Sequence, residues 1–295
     1  MLGALAAHHP VVKRTFEEAG DVLGQDLWTL VSVGPEADLN ATENTQPAML
    51  AAGVAAFRVW ESCSERRPSV VAGHSLGEYT ALVVSGSLSF EAGIGLVRTR
   101  ARFMQEAVPA GVGAMAAVLG LEPQALAEVC QAASSDTEQV SPANDNAPGQ
   151  IVIAGHAAAV TRATELARAA GAKRCVILPV SVPSHCPLMA DAATRFDAAL
   201  KAVPIQSPKI PVIHNVDVDS HTGEDPIRQA LLNQLCGSVR WAETIRKMAA
   251  LGVDQFIECG PGAVLQGLNK RIVPELMTRG LSDPDMLEKA RELMP

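Results

Sequence analysis

The stretch Ser69-Val70-Val71-Ala72-Gly73-His74-Ser75-Leu76-Gly77-Glu78-Tyr79 decides how this 295-residue chain is read. Ser69-Val70-Val71-Ala72 has the length and apolarity of a short buried strand, and 78–84 reads as a helix. Between them, Gly73-His74-Ser75-Leu76-Gly77 matches G-x-S-x-G, the elbow in which a serine stands on a sharp strand-to-helix turn. Small residues at 73 and 77 let the chain turn, so the Ser75 hydroxyl projects from the sheet edge. The helix start behind Ser75 adds positive potential and free N–H groups, with the Leu76 amide as the natural first donor to a developing oxyanion. A glycine-flanked turn whose serine merely caps a helix is the competing reading. The strand before it and the helix after it favour the elbow.

Outward from the elbow, strand-like apolar runs alternate with helical patterns, which predicts an α/β fold with a hydrolase-like, mainly parallel sheet. Thr45-Gln46-Pro47 opens an Ala-rich helix to about residue 64, and another helix covers 90–107. From 111 to 182 the rhythm changes: strand 114–121, helix 123–133, extended 139–143, turn 145–149, strand 150–154, helix 157–171, strand 175–182. That βαββαβ order predicts a ferredoxin-like subdomain at 111–182, inserted into a body formed by 1–110 and 183–295. The body pattern resumes with a helix over 187–202, a strand at 211–215 and an acidic loop to 225. A helix to 235, another over 242–251 and a strand at 255–259 follow, the last ending in Gly260-Pro261-Gly262.

Bulk properties exclude several function classes. Net charge is −8, with 24 basic against 32 acidic residues, so no global basic field attracts nucleic acid. No apolar run reaches the roughly 18 residues of a spanning helix, so no membrane association is expected. The start MLGALAAHHP lacks a basic n-region, and the six cysteines form no CxxC pair, so a reducing cytoplasmic compartment is expected. Aromatics make up 3% of the chain, so its core must come from Ala, Val, Leu, Ile and Met.

A nucleophilic serine needs a base, and seven histidines are available. His8 and His9 precede a helix at the chain start, the ring of His74 in the elbow cannot easily reach back, and His156 starts a helix. His214 and His221 read as exposed polar residues. His185 differs, because Pro183 and Pro187 stiffen its loop between a strand end and a helix start. It is the favoured base. No acidic residue stands out as a third member, so a backbone or amide carbonyl could orient the ring.

On the helix 97–104, Arg98 and Arg102 share one face, and Arg100 lies about 200° around from Arg98. Its face carries Gly93, Leu96, Val97, Phe103 and Met104, so its guanidinium points into an apolar region. A buried guanidinium keeps its proton and must meet an anion, either an internal carboxylate or that of a substrate. Malonyl carries such a carboxylate; acetyl does not. Gly260-Pro261-Gly262 reads as a strand–helix turn, and the loose metal-like spacing of Asp217, Asp219 and His221 as an exposed acidic loop. No metal and no cofactor are expected.

Together these residues resemble the malonyl-CoA:acyl-carrier-protein transacylases of bacterial fatty-acid synthesis. The resemblance rests on Thr45-Gln46-Pro47-Ala48, on Gly73 to Tyr79, and on Arg100 with Met104-Gln105. It also rests on Asn144 to Gln150, Pro183-Ser184-His185 with Leu188-Met189, Gln234-Leu235 before Val239-Arg240-Trp241, and Gly260-Pro261-Gly262. It implies Ser75 as acyl-bearing nucleophile, His185 as base and acid, and Arg100 as clamp for the malonyl carboxylate. Gln46 and Asn146 are implied as pocket-lining residues, and Gln234 as the residue whose backbone carbonyl orients His185. Malonyl-CoA and an acyl carrier protein are the implied partners, with Arg66-Arg67, Lys173-Arg174 and Lys270-Arg271 as possible basic contacts for an acidic carrier. A thioesterase or esterase is the alternative.

The family pattern opens with a strand and a G-Q-G-S-Q loop that supplies a second oxyanion donor, and Met1-Leu2-Gly3 aligns just after it. A catalytically impaired, shortened acyltransferase is therefore a second alternative to malonyl transfer.

Overall fold

The computed structural model describes residues 1–180 and 182–293; Ser181, inside the expected strand 175–182, lies outside the described residues. Four short helices, α1 (Gly3–His8), α2 (Pro10–Leu23), α3 (Leu27–Val33) and α4 (Glu36–Asn40), lead into the long α5 (Thr42–Cys63). Proline at the first position of α2 and the Asp26 carboxylate accepting from the Thr29 N–H fix two of these starts. α5 begins three residues before the expected Thr45, and Pro47 sits within its second turn. Pro47 has no N–H to give to the carbonyl of Glu43, four residues back, and Glu43 is exposed near the helix start.

β1 (Val71–Ala72), α6 (Gly77–Val84) and α7 (Phe90–Ala107) follow. Ser89 caps α7 by accepting from the Ala92 N–H at 3.1 Å. The scarcity of aromatics is met by close helix approach. A Cβ at Gly53 would come within 2.7 Å of Thr80, and one at Gly93 within 2.8 Å of Val83, so α5 and α7 both lie hard against α6.

Next come β2 (Gly113–Leu119), α8 (Pro123–Ala133), β3 (Val140–Ala147), β4 (Gln150–His156), α9 (Ala157–Ala169) and β5 (Arg174–Ile177). They form an antiparallel sheet ordered β3-β4-β2-β5, which is the ferredoxin-like order. Leu126, Val129, Ile151, Ile153, Val160 and Ala163 fill one cluster between this sheet and its two helices. β5 ends at Ile177, short of the expected strand end, with one further bond to β2 from the Leu178 N–H to the Met115 carbonyl at 2.9 Å.

A 3₁₀ turn at Pro187–Met189 precedes α10 (Ala190–Lys201), where one helix over 187–202 was expected. The proline starts the turn and cannot supply an N–H to it. β6 (Val212–Ile213), α11 (Glu224–Cys236), α12 (Trp241–Ala250), β7 (Gln255–Glu258), α13 (Val264–Ile272), β8 (Met277–Gly280) and α14 (Pro284–Leu293) complete the chain. β1 pairs with β6 and β7 with β8, both parallel, so parallel pairing of the body holds in two short ribbons. Gly260-Pro261-Gly262 is the expected turn, and the Glu258 carboxylate accepts from the Leu265 and Gln266 N–H groups at the start of α13. No described helix is long and apolar enough to cross a membrane.

Candidate active site

Ser75 sits between β1 and α6 with φ 51°, a left-handed conformation that strains any residue with a Cβ. The cause is steric. A Cβ at Gly73 would lie 1.9 Å from the Gly77 carbonyl, so the turn is tight enough to force the serine out of the ordinary region. Gly77 itself has open space where a Cβ would stand, so only Gly73 is sterically required, not both small positions. The Ser75 N–H donates to Asn215 Oδ1 at 2.7 Å. The Leu76 N–H has no acceptor among the described residues and remains free for an oxyanion.

His185 is also left-handed, with φ 61°, in the loop before the 3₁₀ turn. Its Nε2 lies 2.6 Å from Ser75 Oγ, and its Nδ1 lies 2.6 Å from the Gln234 main-chain oxygen at the end of α11. A carbonyl can only accept, so Nδ1 carries the proton and Nε2 is left to accept from the serine hydroxyl. The ring is 2% exposed. Burial, the Arg100 cation and His74 pull its pKa down to about 3 against the Gln234 carbonyl, so it rests neutral.

Arg100 is 2% exposed on the inner face of α7. Nη1 donates to Gln46 Oε1 at 2.9 Å and Nη2 to Gln234 Oε1 at 3.0 Å, while the guanidinium lies 5.6 Å from the centre of the Tyr79 ring. Its Nε has no partner, and no carboxylate among the described residues comes within ion-pair distance. A buried cation satisfied only by amide oxygens and a ring face leaves a place for an anion. The neighbouring arginines behave differently: Arg98 donates to the Leu23 carbonyl at 3.1 Å, and Arg102 is exposed beside Glu106.

Gln46 thus stands against Arg100, and its amide nitrogen also reaches Met104 Sδ at 3.8 Å. Asn146 Oδ1 is 2.7 Å from His74 Nε2, so that side chain spans from β3 to the elbow. Ser75, His185, Arg100, Gln46 and Gln234 therefore converge, with Asn146 and Leu76 at the elbow.

Three residues of this neighbourhood have no role assigned from the sequence. Asn215 holds the elbow, its Nδ2 donating to the Gly73 carbonyl at 2.8 Å. Glu78 is fully buried beneath Ser75. His214 was read as exposed, yet it is fully buried with Nδ1 2.7 Å from Glu78 Oε1. The Val212-Ile213 strand turns its end under the elbow, which an apolar run of two residues does not announce. His221 does sit on the acidic loop, 2.7 Å from Asp217, and no group of metal ligands is present among the described residues.

A strained serine on an elbow lies against a neutral imidazole whose far nitrogen rests on a carbonyl, an arrangement of the kind that serine–histidine acyl transfer requires. The acyl transferase domain family matches residues 1–279. The malonyl CoA-acyl carrier protein transacylase of Escherichia coli K12 is 49% identical over 293 residues, covering 99% of this chain and 94% of that protein. The one from Haemophilus influenzae is 50% identical over 295 residues, 100% and 94% of the two chains. The solved structure of the Coxiella burnetii transacylase has a TM-score of 0.97 at 46% identity, over 99% of this chain and 92% of that one. A malonyl-transacylase in complex with its type II PKS acyl-carrier protein matches with a TM-score of 0.97 at 49% identity, over 99% and 94%. This chain belongs to the malonyl CoA-acyl carrier protein transacylase family.

Proposed function

We propose that this protein moves a malonyl group from malonyl-CoA to the phosphopantetheine thiol of an acyl carrier protein, through a malonyl ester on Ser75, in fatty-acid synthesis. The observation that carries the reading is Arg100: a buried cation with no carboxylate within ion-pair distance among the described residues, in contact with the residue that orients the base. A thioester acyl group with a free carboxylate meets that requirement, and acetyl does not.

The chemistry follows from the geometry. His185 Nε2 takes the Ser75 proton as Oγ attacks the thioester carbon, and the Leu76 N–H faces the developing oxyanion. The carbon–sulfur bond breaks, and the coenzyme A sulfur leaves with the proton from Nε2. The carrier thiol then gives its proton to Nε2 while its sulfur attacks the ester, and Oγ leaves and recovers that proton. The Gln234 carbonyl keeps Nδ1 protonated throughout, so no acidic third member is needed. Gln46 and Gln234 steady Arg100, and Asn146 shapes the elbow side through His74. We read 111–182 as a unit laid on the body formed by 1–110 and 183–295, with its own apolar cluster as support. The six unpaired cysteines suit a reducing compartment, and the reading places the reaction in the cytoplasm.

Intact-mass measurement after mixing with malonyl-CoA tests this. A malonyl adduct is expected that disappears in Ser75→Ala and passes to added holo carrier protein. Rapid release of free malonate with no acyl carrier product would instead make the protein a thioesterase.

A further inference from the structure

Glu78 follows the elbow directly, is fully buried, and has no step in the transfer chemistry. Burying a carboxylate is costly unless its oxygens are paired. Here Oε1 faces His214 Nδ1 at 2.7 Å, and Oε2 accepts from the Asn215 N–H at 3.0 Å and from Gln234 Nε2 at 2.9 Å. Two of those three partners hold the site. Asn215 binds the Ser75 N–H and the Gly73 carbonyl. Gln234 binds His185 through its main-chain oxygen, Arg100 through Oε1 and the Ser75 carbonyl through Nε2.

The Gln234 amide has two unlike ends, and only one orientation suits its surroundings. Its oxygen meets the guanidinium donor and its NH₂ meets the carboxylate; reversed, donor would face donor and acceptor would face acceptor. A cation at one end and an anion at the other therefore fix the group. The same arrangement places the Glu78 charge two hydrogen bonds from Arg100, inside a water-excluded region where opposite charges act strongly on each other.

We infer that Glu78 is a positioning residue. It fixes the orientation of Gln234 and the seat of Asn215, and it supplies the negative charge that balances Arg100 while no acyl carboxylate is bound. This rests on the malonyl-transfer reading above. Discrimination between malonyl and neutral acyl groups is thus set by two charges, one that attracts the acyl carboxylate and one that opposes it.

Glu78→Gln removes the charge and keeps the shape. Its oxygen can accept from Asn215 and Gln234, and its NH₂ can donate to His214 Nδ1 once that ring changes tautomer. The readout is Ser75 acylation, by intact mass against time, over a range of malonyl-CoA and of acetyl-CoA concentrations. With Arg100 unbalanced, the half-saturating malonyl-CoA concentration should fall at least about threefold while that for acetyl-CoA moves less than about twofold. The maximal rate should fall for both, because Gln234 is held less firmly. Half-saturation that is unchanged, or changed by one factor for both acyl groups, overturns the counter-charge role.

Should Glu78→Gln show no cooperative thermal transition, Glu78→Asp carries the test. It keeps the charge, so the malonyl-to-acetyl ratio should stay within about twofold of the parent while the rate drops; a larger shift of that ratio overturns the inference. A parent protein that forms no malonyl adduct would sink the transfer reading itself, whatever these ratios are.

Discussion

Arg100 Nη2 donates to Gln234 Oε1 at 3.0 Å, so a buried cation rests on an amide oxygen where a carboxylate of the same shape would have quenched it. The choice of Gln over Glu at one position on α11 therefore keeps the guanidinium available. The same residue turns its main-chain oxygen to His185, so Arg100 and His185, the proposed acyl-binding cation and base, share one support.

That relationship predicts different losses for the two acyl groups. Arg100→Ala should cut malonyl loading of Ser75 by about 100-fold or more and acetyl loading by only a few-fold, since a lost charge-assisted bidentate contact removes about 3 kcal/mol. Equal losses for both acyl groups, measured by intact mass, would mean that Arg100 holds the fold and not the substrate.

The state of His185 predicts the pH behaviour. Its folded pKa of about 3 lies below the ordinary histidine value of 6.5, so the folded protein binds this proton less readily than the unfolded chain. The base form is already present at pH 5, and Ser75 loading should lack the acid limb near 6.5 that an ordinary histidine would impose. For stability the sign is the same. The contribution is complete above 6.5 and is lost as pH falls from there toward 3, at up to about 1.4 kcal/mol per pH unit. Urea unfolding of the parent and of His185→Gln between pH 4 and 7 should differ by that slope.

Gly73→Ala places a methyl group 1.9 Å from backbone atoms of Gly77, which cannot rotate away. The elbow must open, at a cost of about 3 kcal/mol, and the Ser75 hydroxyl moves off His185. Gly77→Ala meets open space at the added carbon and should cost less than about 1 kcal/mol. Denaturant midpoints of the two variants check the contrast.

Asn215→Ala leaves the Ser75 N–H and the Gly73 carbonyl without their side-chain partner. The turn loses its tether to the end of β6. Turnover should fall about 10- to 100-fold with the half-saturating malonyl-CoA concentration little changed, because Arg100, the proposed carboxylate clamp, is untouched. A change confined to half-saturation would contradict that assignment.

Ser75, His185 and Arg100 were legible because each is announced locally: by a G-x-S-x-G between strand and helix, by prolines on both sides, and by one face of a single helix. The ferredoxin-like layer was legible because its strands are long enough to show their period. Glu78, Asn215 and His214 were not, since nothing in a two-residue strand or in the first turn of an apolar helix says which polar groups meet beneath the elbow. The side chain of Gln234 escaped for the same reason: its partner Arg100 lies 134 residues away. The helix expected from Thr45 starts three residues earlier, at Thr42, with Pro47 inside α5.

The separations along the chain also fix an order of events. Ser75 depends on His185, 110 residues later, and on contacts to Asn215 and Gln234, 140 and 159 residues later. Such distant closures are slow compared with helix formation. A ribosome that has made the elbow, α7 and the whole antiparallel layer still carries a chain without its site until α11 emerges. Refolding should recover helical signal well before Ser75 accepts an acyl group, so the nascent protein stays unreactive toward thioesters until nearly all of it has been made.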